Sequence, residues 1–250
     1  MRYLHVTVAL TSLTLSGCAL AQSQSSQDVH YATETPTIDG RIDVAWERAS
    51  WRPMDALILG ELPSADDFSG RYKLLWRENA LYLLAEIHDD QLVDARPDPL
   101  EAYWDDDALE VFIDADGARG VHLDDYRAFA YHIALDNQSV DIGPTGPAVF
   151  PDHVDSAWQR ANESPHAVIW EAEIRIATAT ADGQTLTGFR QLETDEIIGF
   201  MLAYCDADDA NGRQHFVGDI TIAPVNGDRN LGYKDSSVFG SIRLIKHESQ

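Results

Sequence analysis

The sequence predicts an all-β fold, an antiparallel β-sandwich of jelly-roll-like type with little helix. Three observations carry this prediction: strict two-residue alternation in several segments, turn residues between them, and scarce helical periodicity. The cleanest alternation is A-V-I-W-E-A-E-I-R-I at residues 167–176. There Val168, Trp170, Ala172, Ile174 and Ile176 share one face, and Glu171, Glu173 and Arg175 share the other. Successive side chains of a strand point to opposite faces, so this is a half-buried strand.

The chain begins with a short basic start at Arg2 and an apolar stretch from Val6 to Leu15, too short to span a membrane. This pattern is that of an export signal. Leu15-Ser16-Gly17-Cys18 has the form of a bacterial lipobox, which would make residues 1–17 a signal peptide and Cys18 the lipidated first residue. Ala19-Leu20-Ala21 also fits ordinary signal-peptidase cleavage, so the two processing routes stay open. Residues 18–28 read as a polar tether, and 29–250 as one domain. The expected location is the bacterial cell envelope, with the membrane reached only through the lipid on Cys18, or else the periplasm or exterior.

Within the domain, the best helical piece is Val44 to Ala49, with Asp43 as its N-cap. Strands are expected at 71–76, 80–88, 109–113, 126–135, 167–176, 197–205, 216–222 and 238–245. Leu109, Val111 and Ile113 form an inward row, with Glu110 and Phe112 opposite. Arg77-Glu78-Asn79, Ala115-Asp116-Gly117, Ala181-Asp182-Gly183 and Asn226-Gly227-Asp228 supply turns. Trp46, Trp51, Trp76 and Trp170 fall in patterns expected of core residues.

Charge narrows the function. Lys and Arg number 18 against 42 Asp and Glu, a formal −24. Such a surface repels phosphate backbones and anionic lipid, which argues against nucleic acid as a partner. It suits neutral or cationic ligands and divalent cations. Beyond Cys18 the only cysteine is Cys205, which reads as a small buried hydrophobe in an apolar strand.

Four segments together resemble a known family: P-T-I-D-G-R-I-D-V-A-W (36–46), K-L-L-W-R-E-N-A-L-Y-L-L-A-E-I-H-D (73–89), W-D-D-D-A-L-E-V-F-I-D (104–114) and S-S-V-F-G-S-I-R-L-I-K (236–246). In this order they resemble the family 9 carbohydrate-binding modules, which occur beside xylanases and as stand-alone exported proteins. The resemblance implies a β-sandwich with structural calcium, in which two aromatic rings sandwich a terminal sugar. It places those rings on Trp104 and Tyr233, a carboxylate on Glu110 and a basic residue near His132. An amide-bearing strand of the family falls on Leu202-Ala203-Tyr204-Cys205, which has no side-chain amide. Losing a hydrogen-bonding group of that kind weakens or redirects recognition.

The chemistry agrees with the resemblance. A pyranose has an apolar C–H face suited to flat rings and a hydroxyl rim suited to charged or amide groups. Asp105, Asp106 and Asp107 cannot all point inward, and calcium, with six to eight oxygen ligands, would offset their repulsion. Further candidate ligands are Asp114, Asp116, Asp124, Asp125, Asp206, Asp208 and Asp209. No hydrolase, phosphate-loop or dinucleotide motif stands out, so the expectation is a binding protein without catalysis, accessory to the use of glucan- or xylan-type polysaccharide. Two rival readings remain. One is a structural or protein-binding envelope module that has lost its sugar site. The other is a haem-binding sandwich using Met54 or Met201, and haem is not expected.

Overall fold

A computed structural model describes residues 26–161 and 166–246. Cys18, the export signal and most of the tether lie outside the described residues. The strands run in order β1 (Gln27–Tyr31), β2 (Arg52–Met54), β3 (Ala56–Leu59), β4 (Phe68–Arg77) and β5 (Ala80–Asp89). They continue with β6 (Ala108–Asp114), β7 (Phe129–Ala134), β8 (Ser139–Gly143), β9 (Gly146–Val149), β10 (Val154–Arg160) and β11 (Ala167–Ile174). The last are β12 (Ala177–Ala179), β13 (Leu186–Phe189), β14 (Ile197–Asp206), β15 (His215–Gly218) and β16 (Gly240–Ile245).

One hydrogen-bonded path, β10-β11-β5-β4-β1-β16-β14-β6-β7-β8-β9, threads the main sheet. Its two halves fold onto a common core, because Leu74, Leu83 and Trp170 of one half share a buried cluster with Val111, Tyr131 and Leu202 of the other. This is the expected all-β sandwich. The predicted inward rows of β6 and β11 point into this core.

One pairing departs from the antiparallel expectation. Strand β1 runs parallel to both β4 and β16 and joins the two halves. Its sequence, Q-D-V-H-Y, buries only Val29 below a tenth of its surface, too weak an alternation to announce a strand. The strand starts at Gln27, within the segment read as tether. Strands β8, β9 and β10 were also not legible: β9 and β10 keep most side chains half-buried, and β8 and β9 border Gly143 and Gly146.

Much of each outer face is covered by the chain rather than solvated. Over β4, β5 and β11 lies the segment around a 3₁₀ turn at Val44–Arg48, where Asp43 accepts a 2.8 Å hydrogen bond from the Ala45 amide, in keeping with its expected capping role. That turn inserts Trp46 beside Tyr82, Leu84 and Ile169. Over β6, β7 and β14, the segment 220–239 brings Ile220, Leu231 and Phe239 against Phe112, Ala130 and Met201. The part of this second face left uncovered holds the site. Among the described residues no helix is long and apolar enough to cross a membrane.

Candidate functional site

On the outer face of the β14-β6-β7-β8 layer, Glu110 of β6 stands directly opposite His132 of β7 in the antiparallel register. These two, with Ile142 of β8, form the floor of a cavity of about 290 Å³. Its walls are loop residues: Tyr103 and Trp104 before β6, Arg213 before β15, and Asn230 and Tyr233 before the last strand. All four residues that the resemblance singled out, Trp104, Glu110, His132 and Tyr233, therefore line one cavity.

Their exposures divide by chemistry. Trp104 and Tyr233 are 40% and 37% exposed, whereas Glu110 and His132 are 2% and 5% exposed. Aromatic surface is thus offered to solvent around a buried charged pair. Tyr103 links the two zones: its ring meets His132 edge-on at 4.8 Å and Trp104 edge-on at 5.0 Å. The Tyr233 loop is held close to the sheet at Gly232. A Cβ there would lie 2.6 Å from Met201 Cε and 2.7 Å from Phe112 Cε1, so only glycine permits the approach. The Gly232 carbonyl accepts a 2.9 Å hydrogen bond from His122 Nε2, which fixes the loop further.

The floor is electrostatically tight. His132 Nε2 lies 3.1 Å from Glu110 Oε2. Burial alone would lower the imidazole pKa, but the Glu110 carboxylate and Cys205 beside it raise it to about 10. Cys205 of β14 faces the same layer, with Sγ 3.9 Å from Glu110 Oε2 and 3.1 Å from Arg213 Nη1. Burial also works against the Arg213 charge, and the neighbouring Cys205 and Glu110 outweigh it and raise the pKa. Cys205 is buried within a hydrophobic cluster, as the sequence reading expects, and it also takes part in this polar network.

Sequence reasoning missed Tyr103, Ile142, Arg213 and Asn230. On 202–205, Leu202 and Tyr204 enter the main core, and Ala203 and Cys205, neither carrying an amide, face the site layer. Asn230 brings a side-chain amide to the cavity from a different loop, three residues before Tyr233. The run R-N-L-G-Y held that signal, but nothing in its spacing says that the loop folds back over β6.

The aspartates divide into separate roles. Asp105 pairs with Arg96 at 3.2 Å, and Asp106 Oδ2 accepts from the Ala95 and Arg96 amides. Asp107 points the other way, accepting from the Val93 and Ala207 amides at 2.7 and 2.8 Å. Asp114 holds the Arg119 amide and Ser236, Asp125 pairs with Arg127, and Asp116, Asp124 and Asp209 are exposed. Of the sequence candidates, only Asp107, Asp206 and Asp208 converge.

Four residues not foreseen join them. Asp89 lies with Asp107 and Asp206; Asp67 and Asp90 lie with Asp208; and His215 lies with Asp67 and Asp206. Both Asp206 oxygens and Asp208 Oδ1 are buried without a hydrogen-bond partner. Burial and mutual repulsion push Asp89, Asp206 and Asp107 up to about 6, 8 and 9. An orphaned buried carboxylate among like charges fits a hard divalent cation that takes oxygen ligands.

A profile described as "Carbohydrate family 9 binding domain-like" matches residues 38–247. Among curated proteins, the chain is 29% identical over 213 residues to endo-1,4-beta-xylanase A of Thermotoga maritima, covering 85% of this chain and 17% of that protein. It is 27% identical over 210 residues to the exoglucanase XynX of Acetivibrio thermocellus, covering 84% and 16% respectively. The chain thus spans about a sixth of the length of the curated relatives it matches. Among solved structures, a carbohydrate-binding module of family 9 from Caldicellulosiruptor kristjanssonii, in complex with cellotriose, superposes with a TM-score of 0.66 at 20% identity, covering 90% of this chain and 96% of that one. The glucose complex of a family 9 module from the same organism gives 0.64 at 20% identity, over 90% and 98%.

Proposed function

Since the chain belongs to the carbohydrate family 9 binding domain-like family, we propose that its outer-face cavity binds the terminal sugar of glucan- or xylan-type polysaccharides without catalysis. The single observation that carries this reading is the meeting of two exposed rings, Trp104 and Tyr233, over a buried carboxylate in one cavity. The rings take the C–H faces of the pyranose, and Glu110 accepts from its hydroxyls. Arg213 donates, and Asn230 both donates and accepts, the function expected of the amide missing from 202–205. At about 290 Å³ the cavity is at the small end of ligand pockets, which suits a chain terminus.

The rival reading, a scaffold that lost its sugar site, rested on that missing amide, and Asn230 weakens it. Met54 and Met201, the candidates of the haem reading, belong to two different core clusters and neither lines the cavity. The proposed structural cation is calcium, held by Asp107, Asp206 and Asp208 with Asp67, Asp89 and Asp90, where it would offset their repulsion. The proposed setting is the cell envelope, with lipidation at Cys18 and an accessory role in carbohydrate use.

Isothermal titration calorimetry against glucose, cellobiose, xylobiose and their reduced alditols, with calcium present, tests the reading. Binding that is lost in Trp104→Ala supports the ring platform, and loss with the alditols adds recognition of the reducing end. Folded protein that gives no heat with any of these sugars would falsify it.

A further inference from the structure

The floor of the cavity contains a feature that sugar recognition does not require. A thiol is a weak hydrogen-bond donor and a poor partner for hydroxyls, yet Cys205 sits fully buried beside Glu110 and His132. We propose that Glu110, His132 and Cys205 form a binding site for a borderline-soft divalent metal, zinc first, and that its occupancy excludes sugar from the cavity. The metal half of this proposal stands on the three side chains alone. The exclusion half rests on the carbohydrate reading of the cavity.

Geometry is the first argument. One ligand atom from each residue lies within 4.8 Å of the other two. Zinc binds carboxylate oxygen, imidazole nitrogen and thiolate sulfur at about 2.0–2.3 Å, so a tetrahedral site has edges of roughly 3.4 Å between N and O and 3.6 Å between S and O. The corresponding separations here are 3.1 Å from His132 Nε2 to Glu110 Oε2 and 3.9 Å from Cys205 Sγ to the same oxygen. On these two edges shifts of a few tenths of an ångström would suffice, and the third pair, His132 with Cys205, lies within 4.8 Å. All three residues are on regular strands, paired β14 to β6 and β6 to β7, so the set is held together before any metal arrives.

The imidazole is the second argument. Its Nδ1 lies 3.2 Å from the Ala130 carbonyl, which can only accept, so Nδ1 carries the proton. In the neutral ring this leaves the Nε2 lone pair aimed at Glu110, the usual orientation of a metal-bound histidine whose second nitrogen is tied to a carbonyl. Nε2 is buried and has no hydrogen-bond partner among the described residues. A lone pair facing a carboxylate needs a cation between or beside them. A proton serves at present, and a metal ion takes its place.

Ligand class points the same way. Calcium takes oxygen ligands only, which assigns it to the Asp107–Asp206–Asp208 cluster. A sulfur–nitrogen–oxygen set selects zinc or its neighbours instead. Arg213 Nη1 donates to Sγ at 3.1 Å, so the sulfur already accepts from one cation. Zinc would draw Cys205 as thiolate and His132 as neutral imidazole, releasing their protons to solvent, so affinity rises with pH. Glu110 and His132 line the cavity, so an ion held by them would occupy its floor. Glu110 and His132 are then no longer available to sugar hydroxyls.

Cobalt(II) titration of the purified protein, with calcium in excess to fill the oxygen cluster, reads the site directly. The expected result is one cobalt per chain with a near-ultraviolet thiolate-to-cobalt band that zinc displaces. Cys205→Ser removes the band, and His132→Gln weakens cobalt binding, with thermal melts verifying that each variant folds. If Cys205→Ser does not fold, Cys205→Ala serves the same purpose. No bound cobalt, or cobalt bound without a Cys205-dependent band, overturns the metal site. For a sugar that binds the metal-free protein, zinc at ten times its own dissociation constant should weaken apparent affinity about tenfold. Unchanged or tighter sugar binding overturns the exclusion. Failure of every sugar to bind leaves the cobalt readout intact and counts against the carbohydrate reading alone.

Discussion

Trp46 Nε1 donates a 2.8 Å hydrogen bond to Glu171 Oε1, while Glu171 Oε2 accepts from the backbone amides of Asp39, Gly40 and Arg41. A single buried carboxylate from the middle of β11 thereby pins the I-D-G turn and the tryptophan that follows it. The alternation of 167–176 correctly puts Glu171 on the face away from the main core, but that face is itself buried by the chain's own N-terminal segment.

Glu171→Leu should therefore be costly. It would leave three donors, the Asp39 and Gly40 amides and Trp46 Nε1, without an acceptor, while the Arg41 amide keeps Asp39 Oδ1 at 3.0 Å; loss of one partner in a buried charged network costs about 3–5 kcal/mol. Glu171→Gln keeps an acceptor oxygen and should cost less. Urea denaturation of the two variants checks the order, and equal stabilities would remove the pinning role.

At the cavity, Asn230→Ala and Arg213→Met should each weaken sugar binding about tenfold to a hundredfold, by roughly 1–3 kcal/mol per lost polar partner. Trp104→Ala should abolish measurable binding yet leave the melting temperature nearly unchanged, since the ring is 40% exposed. Calorimetry and thermal melts on the same samples separate the two effects. A Trp104→Ala protein that binds normally would move the ring out of the recognition role.

For the acidic cluster, a chelator should lower the melting temperature and calcium should restore it. At a hundredfold excess over its dissociation constant, calcium contributes about 2.7 kcal/mol, or roughly 5–10 °C for a domain of this size. Asp206→Asn should remove most of that response. Scanning calorimetry with and without calcium measures it, and a melting temperature indifferent to calcium in the parent protein would withdraw the site.

His153 makes a pH prediction. Burial lowers its imidazole pKa to about 4, and Nδ1 sits 2.7 Å from Tyr131 Oη inside a cluster with Phe129 and Phe150. The folded state thus holds the neutral ring while the unfolded chain binds a proton below about 6.5. Its contribution is fully present above the unfolded pKa and is lost as pH falls from about 6.5 toward 4. Between pH 7.5 and 5 the loss is about 2 kcal/mol. His153→Phe should flatten that part of the stability profile, and urea midpoints at the two pH values would show an unchanged slope if the assignment is mistaken.

Much of the fold was legible because burial on one side of a strand writes itself into the sequence at period two. The rows Leu109-Val111-Ile113 and Val168 through Ile176 point where the alternation says they do. Strand β1 was illegible for the converse reason: with only Val29 buried below a tenth of its surface, its place between β4 and β16 depends on backbone hydrogen bonds that leave no side-chain signature. The aspartates show the same limit. A run of three carboxylates announces a charge problem, but Asp105 answers it with Arg96, Asp106 with amides, and Asp107 by turning toward Asp89 and Asp206.

By itself the sequence determined the all-β class and the acidic balance, since composition and alternation are local properties of the chain, and the resemblance of its four motifs to a family singled out Trp104, Glu110, His132 and Tyr233. Only the tertiary structure decided that these four face one cavity, that Arg213 and Asn230 join them, and that Cys205 lies beneath. Those partners come from segments about 100 residues apart in the chain, and their meeting depends on which strands pair and which loops fold back over the sheet. No spacing along the sequence records a contact that is made only when two faces close on one another.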